Sequence, residues 1–598
     1  MQKGIHKFPN AKEVEKEISE FLSKRFGDRV KLAAPIVIPE AEREDDENGV
    51  MENARPIAFD MKPEELIAYL DQYIIRQEAA KAVLSTKICT HFNRIRRASE
   101  DAAASDTLVG AIKNNILMIG PTGVGKTYMI KLIAQRLGVP FVKGDATKFS
   151  ETGYVGGDVE DLVRDLVREA GDDIERAQHG IIYIDEIDKI AGAQNLIGAD
   201  VSRSGVQRAL LKPMEETEVE LKVAHDPVSM LQEIDRFRRT GDRNRRVINT
   251  RHILFIMSGA FSGLQEIIEK RLSKQAIGFN AALRQPSSAA RLLQMVKTED
   301  LITFGFESEF VGRLPVRTVF EELDHSDLFS ILKNPNNPII LGKKRDFSAY
   351  GIDVKFTDDA LRQLAVAAAA ESTGARGLVS AVENALLDFE RRLPSSTVKR
   401  LPVTTDTLCA DWNSRQIQDL VDSGEWDRRF EALCLEEKRA ISDYLRANAL
   451  TLGTACGLTL TDAKCEMASE YASRHVVDVT QALHRIKTLY GDVSALALTF
   501  LEKNDINIVL EEDAADLIVT RHIIHGDALD AVYGQLTDSF AHGLKLVMQR
   551  TGRRQFFISR EALEAPEAYV RQMIKSGTEE SASPVVSLSF SSPEADGA

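Results

Sequence analysis

The chain has 598 residues, of which 43% are hydrophobic and 28% are charged, and its formal net charge is −15. A chain of this length holds several domains, no apolar run approaches the ~18 residues that cross a bilayer, and the acidic balance argues against bulk attraction to nucleic acid or to an anionic membrane. The five cysteines form no Cys-x-x-Cys pair and the amino terminus lacks an apolar signal segment, so we expect a cytoplasmic protein with reduced thiols and no structural metal site.

The first 60 residues differ in composition from those that follow. Their apolar spacing predicts one amphipathic helix at about 11–25, and the acidic run at 40–49 is typical of a solvated linker. From about residue 61 the spacing is helical, and Pro63 suits a helix start. The first domain is therefore expected to begin near residue 61.

A buried strand, a glycine turn and a helix start follow one another at 116–127. Gly123 and Gly125 permit backbone conformations that a Cβ forbids, so the N–H groups of the turn and of the helix N-terminus can face a triphosphate. Lys126 is expected to reach the β and γ phosphates and the Thr127 hydroxyl to hold Mg²⁺. The alternative is a glycine-rich turn that binds nothing. The predicted ATP-binding loop consists of Gly120, Pro121, Thr122, Gly123, Val124, Gly125, Lys126 and Thr127.

Two carboxylates, Asp185 and Glu186, end an apolar run that has the composition of a buried parallel strand. Asp185 follows Lys126 by 59 residues, and the segment between them has a helical pattern. At the carboxyl end of a strand beside the phosphate loop, Asp185 is expected to hold Mg²⁺, directly or through water. Glu186 is expected to polarise a water for attack on the γ-phosphate. The sequence therefore predicts Mg²⁺-dependent ATP hydrolysis.

The pattern along the rest of the chain indicates several further domains. Alternating strands and helices at 112–320 predict a parallel three-layer α/β domain, residues 352–400 a strand followed by helices, and 410–500 helices throughout. The Ser/Glu/Pro-rich tail is predicted to be disordered. The predicted layout is an N-terminal segment at 1–60, a large domain at 61–325, a small α(+β) domain at 326–405, a helical extension at 406–500, a degenerate copy of the small domain at 501–575 and the tail at 576–598.

The copy is suggested by an internal similarity, because the sequence at 352–361 resembles that at 506–515. Two unrelated strand-helix units would give the same pattern. A true second copy would lack the arginine that the first copy carries at Arg376, so it would serve structure or docking.

Residues 61–400 resemble the AAA+ ATPases of the ClpX and HslU type, the unfoldase rings of bacterial proteases. The resemblance is closest to ClpX, although the four-cysteine zinc domain that begins ClpX is missing. It implies a P-loop αβα large domain, a small domain, a homo-hexameric ring and protein substrates. The motifs that resemble HslU lie at 115–127, 146–149 and 200–207, and those that resemble ClpX lie at 180–189, 261–264 and 373–378.

The resemblance also implies roles for individual residues outside the two local motifs. Arg313 matches the arginine finger, which reaches the nucleotide of a neighbouring subunit. Arg376 matches the second sensor, which touches the phosphates and couples domain rotation to nucleotide state. Ser258 stands at the position of the first sensor. A surface arginine before a proline is the plain alternative for Arg313.

Two hydrophobic pairs acquire roles in the same way. Ile74 and Ile75 match the pair that contacts adenine, and Arg76 follows them where the family has a glycine. Tyr154 and Val155 match a loop that faces the central pore, where an aromatic ring between glycines can grip any polypeptide. Without the resemblance, both pairs would be assigned to the core or to a plain turn.

Ile277, Gly278 and Phe279 match the loop by which ClpX-type proteins dock into apolar clefts of the ClpP peptidase ring. An exposed Ile and Phe around a glycine form a suitable hydrophobic anchor. HslU uses an apolar C-terminal tail instead, and this C-terminus shows none, so a ClpP-like partner is favoured over an HslV-like one.

Two other functions remain open. A stand-alone ATP-driven remodelling chaperone without a peptidase is favoured by the unfamiliar terminal regions. A motor on nucleic acid is suggested by the arginines at 236–246, but the net charge argues against it, and a solvated basic loop explains the arginines as well.

Overall fold

Five parallel strands form the central sheet of the computed structural model. The strands up to residue 320 are β1 (Ile116–Ile119), β2 (Phe141–Asp145), β3 (Ile181–Asp185), β4 (Glu218–Glu220), β5 (Val247–Asn249), β6 (Leu254–Gly259) and β7 (Val316–Val319). The central sheet has the order β2-β3-β6-β1-β7, and β4 and β5 form a separate antiparallel pair. β1, β6 and all but the last residue of β3 are buried, as a parallel sheet with helices on both faces requires.

The structure describes residue 59 and residues 61–100, 113–149, 158–192, 201–221, 246–275, 289–409 and 424–579. All of them belong to one unit that begins at Ile57, in which we distinguish the α/β domain (61–322), the small domain (323–409) and the extension (424–579). Within these ranges no helix is long and apolar enough to cross a membrane. No group of three or more His, Cys, Asp or Glu side chains in the same ranges could hold a metal ion.

Helices cover both faces of the sheet, because alternate strand residues enter two different cores. Leu117 and Ile119 pack with the helices from α4 to α10, whereas Ile116 and Met118 pack with α1, α2 and α3. The three-layer α/β fold predicted from the sequence is thereby confirmed. The helices are α1 (Pro63–Asp71), α2 (Glu78–Glu100), α3 (Lys126–Leu137), α4 (Val159–Glu169), α5 (Ile174–Gln178), α6 (Val201–Met214), α7 (Leu264–Gln275), α8 (Ala289–Gln294), α9 (Thr298–Phe304) and α10 (Ser308–Gly312).

The small domain packs helices around a pair of parallel strands. Its strand-then-helix start confirms the pattern predicted at 352–400, whereas the second strand was not predicted. Val354 and Leu401 pair in the centre of the strands and are buried in the core of the domain. The elements are α11 (His325–Lys333), α12 (Pro338–Ser348), β8 (Asp353–Phe356), α13 (Asp358–Ala370), α14 (Ala375–Arg392), β9 (Arg400–Val403) and α15 (Thr405–Cys409).

The extension is mostly helical, as predicted, and begins with a helix that is shared between two cores. Trp426 of that helix packs into the core of the small domain, whereas Ile441 and Leu445 pack into the core of the extension. The elements are α16 (Glu425–Ala447), α17 (Ala449–Cys456), α18 (Asp462–His475), α19 (Val479–Asn504), β10 (Asn507–Leu510), α20 (Glu512–His525), α21 (Leu529–Leu536), α22 (His542–Thr551), β11 (Gln555–Ile558), α23 (Arg560–Glu564) and α24 (Pro566–Glu579).

Part of the extension, from α18 to α23, resembles the small domain in its order of elements. Each has two helices, a strand, further helices (two in the small domain and three in the extension), a second strand parallel to the first and a short helix. In both cases the two strands pair over four residues. The turn before α21 reads Gly-Asp-Ala at 526–528 and carries no arginine, whereas the corresponding turn of the small domain is followed by Arg376.

One predicted boundary is wrong. The disordered tail was placed from 576, but α24 continues to Glu579. Its apolar residues Tyr569, Val570, Met573 and Ile574 pack against the core of the extension, and the helix they belong to ends beyond the point at which the composition becomes Ser- and Glu-rich.

Candidate functional site

A cleft of about 500 Å³ opens between the α/β domain and the small domain, at the carboxyl ends of β1 and β3. Eleven of the predicted site residues line it. Gly120, Pro121, Ser258 and Arg313 do not. The predicted residues that line the cleft are Ile74, Ile75, Thr122, Gly123, Val124, Gly125, Lys126, Thr127, Asp185, Glu186 and Arg376.

The phosphate loop turns into α3 through glycines in left-handed conformations, with φ of +77° at Gly123 and +91° at Gly125. The Lys126 ammonium donates hydrogen bonds to the carbonyl oxygens of Gly120 and Pro121, at 2.6 and 2.7 Å. Burial lowers the pKa of Lys126 to about 8. A triphosphate in the cleft would restore the stability of the charged form, so the lysine is suited to an anionic ligand.

The Asp185 carboxylate is held in a hydrogen-bonded network behind the cleft. Its Oδ1 accepts from the Ser258 hydroxyl at 2.7 Å, and its Oδ2 pairs with the Lys143 ammonium at 3.0 Å. Burial alone would raise the pKa of Asp185, but the bonds from Ser258 and Lys143 outweigh it and hold the pKa below its usual range. Ser258 is fully buried, so its geometry indicates support of Asp185, and the direct nucleotide contact predicted for it stays a prediction.

The residues present fit a magnesium ion. Thr127 Oγ1 lies 3.4 Å from Asp185 Oδ2, and oxygen atoms are the ligands that Mg²⁺ prefers, with phosphate and water completing its shell. The buried Tyr183 hydroxyl keeps the pair in place, since it bonds Thr127 Oγ1 at 2.9 Å and donates to Ser258 at 2.6 Å. The Lys143 ammonium also lies beside the Asp185 carboxylate. It supplies there the positive charge that a bound Mg²⁺ would supply.

Glu186 follows Asp185 with a left-handed backbone, at φ of +58°. Its N–H donates to Asp185 Oδ1 at 3.1 Å. The kink turns the Glu186 side chain away from the strand, into the cleft lining and toward solvent. A carboxylate at this place can orient a water beside a bound γ-phosphate.

The small domain closes the cleft at the phosphate loop itself. The Ala375 N–H, at the start of α14, donates to the Gly123 carbonyl at 2.8 Å, and Arg376 lines the cleft one residue later. The N-terminus of α14 and the Arg376 guanidinium thus bring positive charge to the phosphate end.

We expect Gly123→Ala to lower the melting temperature and nucleotide affinity far more than Gly125→Ala. Both positions have left-handed φ, which costs an alanine about 1 kcal/mol, but a Cβ at Gly123 would lie 2.0 Å from the Thr373 carbonyl oxygen, and one at Gly125 would meet nothing within 4 Å. Thermal unfolding and equilibrium ATP binding measure both variants. Equal losses of melting temperature and affinity in the two variants would show that the contact between the phosphate loop and the small domain contributes to neither.

Ile74 and Ile75, the pair predicted to contact adenine, line the cleft. Arg76 and Gln77 after them have φ of +61° and +70°, so Arg76 adopts the conformation for which a glycine is favoured. Arg76 forms ion pairs with Glu321 and Asp327, and the Gln77 amide exchanges two hydrogen bonds of 2.8 Å with the Glu321 backbone. These contacts fix the loop without a glycine.

Arg313 lies at the amino end of β7, away from its own cleft. Its guanidinium pairs with Glu215, and its carbonyl accepts from the Asn115 amide at 3.2 Å. About half of its side chain is exposed. The action of Arg313 on a neighbouring nucleotide stays a prediction.

Several site residues were not predicted. Tyr183 and Lys143 are separated from the loop in sequence, and only the pairing of β2 with β3, which aligns Lys143 with Tyr183, brings them together. Asn334, Asn337 and their neighbours enter from the small domain. The one signal for this segment was its Asn-Pro-Asn-Asn-Pro sequence, which is typical of a loop.

Some predicted residues lie outside the described ranges. They are Tyr154 and Val155 of the pore loop and Ile277, Gly278 and Phe279 of the docking loop. Of the arginines at 236–246, the structure describes Arg246, which donates to the Asp172 carbonyl at 2.8 Å.

Comparison with known proteins agrees with this geometry. The family model of the AAA domain (Cdc48 subfamily) matches residues 112–317. The protein named ATP-dependent Clp protease ATP-binding subunit ClpX of Borrelia duttonii is 42% identical over 349 residues, which is 58% of this chain and 78% of the relative. Proteins with the same description match from Methylococcus capsulatus (ClpX 3), at 40% over 58% and 80%, and from Treponema denticola, at 38% over 60% and 84%.

The match therefore extends well beyond the ATP-binding motifs and spans most of each relative. The same comparisons leave about two fifths of this chain unmatched. The chain belongs to the ClpX-type family of AAA+ ATPases.

Proposed function

We propose that the chain is an ATP-dependent protein unfoldase that assembles as a homo-hexameric ring and feeds unfolded polypeptide to a ClpP-like peptidase. The observation that carries this proposal is the convergence of the phosphate loop, Asp185, Glu186 and Arg376 on one cleft between two domains. The names of the relatives, as ATP-binding subunits of the Clp protease, support it.

Four residues of the cleft have distinct roles in the proposed mechanism. Lys126 binds the β and γ phosphates, and Thr127 and Asp185 are the protein ligands of Mg²⁺. The ion, when bound, neutralises the charge that develops on the phosphate oxygens. Glu186 takes a proton from the attacking water.

Arg313 is proposed to stabilise the transition-state charge at the cleft of the neighbouring subunit. Two observations support action in trans: Arg313 does not line its own cleft, and its ion pair with Glu215 is half exposed. Arg376 joins the small domain to the phosphates, so hydrolysis changes the angle between the domains and moves the pore loop of Tyr154 and Val155 against the substrate.

The domain layout predicted from the sequence is carried forward as part of the proposal, except for the start of the tail and the extent of the copy. The similar order of elements in the small domain and in α18–α23 of the extension supports a duplication. We propose that the copy extends from α18 to α23, which is longer than the segment at 501–575, because α18 and α19 correspond to α11 and α12.

The proposal is tested by degradation of a tagged, folded reporter with a ClpP-type peptidase, an HslV-type peptidase or neither. We expect degradation that requires ATP and the ClpP-type peptidase, and we expect Phe279→Ala to abolish it while ATP turnover continues. The matched control is Tyr350→Ala, because Tyr350 is an exposed aromatic residue of the small domain. Phe261→Leu would not serve as a control, because Phe261 is buried.

Two results would redirect the assignment. Degradation that occurs only with the HslV-type peptidase would identify that type of peptidase as the partner instead of a ClpP-like one. Robust ATP turnover with reporter unfolding but no degradation with either peptidase would favour a stand-alone remodelling chaperone.

A further inference from the structure

The buried amide of Asn336, in the small domain, bonds both the α/β domain and the extension. Its Nδ2 donates to the Gln72 carbonyl of the α/β domain at 3.4 Å and to the Tyr444 hydroxyl of the extension at 3.1 Å. Its Oδ1 accepts from the Val479 N–H of the extension at 3.1 Å. Only 5% of Asn336 is exposed, and all of its side-chain bonds join other parts of the chain, so the amide acts as a three-way junction.

The junction is attached to the segment that reaches the adenine end of the cleft. Gln72 directly precedes Tyr73, Ile74 and Ile75, and its carbonyl also accepts from the Asn334 amide at 2.9 Å. One residue later, the hydroxyls of Tyr73 and Thr480 share a hydrogen bond of 3.1 Å. Tyr73 itself lines the ATP cleft. The extension therefore contacts this segment directly at Tyr73 and indirectly at Gln72, through Asn336 of the small domain.

A second cavity lies on the other side of the same segment. It has a volume of about 710 Å³ and is bounded by α16, α18 and the start of α19 from the extension and by the small domain. Ile75, Asn334 and Asn337 line both this cavity and the ATP cleft. The two cavities therefore share a wall at these three residues, and the Tyr73–Thr480 bond lies beside that wall.

The extension is fastened firmly to the small domain. The Glu437 carboxylate pairs with the Lys344 ammonium at 2.7 Å and with Lys355, and Lys355 also donates to the Ser473 hydroxyl at 2.9 Å. Glu437 and both lysines have side chains that are mostly removed from solvent. Because separating buried charges is strongly unfavourable, the extension moves with the small domain.

The geometry points to the extension as a third component of the ATP site, with Thr480 and Tyr444 as positioning residues for the Tyr73–Ile75 segment. The inference rests on the proposed ATPase function and adds a regulatory element to the same site. Motion of the small domain carries the extension, and the two together shift the adenine-side wall, the small domain through Asn336 and the extension through Thr480. Nucleotide affinity is thereby coupled to the position of the extension.

The test is a double-mutant cycle of Tyr73→Phe and Thr480→Val in the full-length chain. Each change removes one hydroxyl of the same bond, so either alone is expected to weaken Mg-ATP binding about three- to tenfold, and the double variant is expected to bind no more weakly than the singles. For Thr480→Val we expect a higher KM with kcat within about twofold. Tyr444→Phe is expected to shift affinity in the same direction.

Tyr490→Phe is the matched control, because the Tyr490 hydroxyl bonds Asp516 within the extension. It is expected to leave ATP affinity unchanged. Equilibrium binding and thermal unfolding separate affinity from folding. Affinity equal to that of the unsubstituted chain in both singles, or additive losses in the double variant, would overturn the inference and leave the proposed function intact. Absence of ATP binding by the unsubstituted chain would overturn both.

Discussion

Glu186→Gln is expected to abolish ATP hydrolysis while ATP binding persists. The amide keeps the size of the carboxylate but cannot accept the proton of the attacking water, and loss of a general base lowers turnover about 10²- to 10⁴-fold. Binding is expected to survive because Lys126, Thr127 and Asp185 are the residues proposed to hold the phosphates and the ion, and Glu186 is not among them; its side chain faces the open cleft.

Steady-state phosphate release and equilibrium ATP binding measure the two effects separately. Glu169→Gln, at an exposed glutamate in the last turn of α4, is the control and should change neither. Turnover of Glu186→Gln within tenfold of the unsubstituted chain would assign the general base to another residue.

Arg313→Ala is expected to lower turnover by about 10³-fold, the scale of an arginine finger, although Arg313 does not line its own cleft. The physical reason is the loss of the positive charge that we propose reaches the neighbouring subunit's phosphates in the transition state. Arg168→Ala, at an exposed arginine paired with Asp165 on α4, is the matched control.

Mixing two inactive variants distinguishes action in trans from a local role. In a ring of Arg313→Ala and Glu186→Gln subunits, some interfaces combine an intact Glu186 with an intact Arg313 from the neighbour, so phosphate release is expected to recover in part. An arginine that acts within its own subunit would give no recovery at any mixing ratio.

The local motifs of the site were predictable from sequence because each is set by consecutive residues. The glycines of the phosphate loop and the carboxylates that end β3 each carry their role in a few positions. The partners that tune them were not predictable. Lys143 reaches Asp185 only through the register of β2 against β3, and Asn334 reaches Gln72 only because the small domain folds back on the α/β domain.

The loop after Ile75 shows how tertiary contacts replace a local preference. Arg76 takes a left-handed φ that favours glycine, and its ion pairs with Glu321 and Asp327, from distant sequence, hold it there. Similarly, the strands β9 and β11 are only four residues long and pair with strands far away in sequence, so periodicity alone did not reveal them.

The most direct measurement of the central claim is the loss of native fluorescence of a folded reporter that carries an unstructured terminal tag, incubated with the chain and ATP but without a peptidase. The account predicts unfolding that stops when Glu186→Gln replaces the unsubstituted chain, even though the variant still binds ATP. Rapid ATP hydrolysis with no unfolding of the reporter, across a set of amino- and carboxyl-terminal tags, would contradict it.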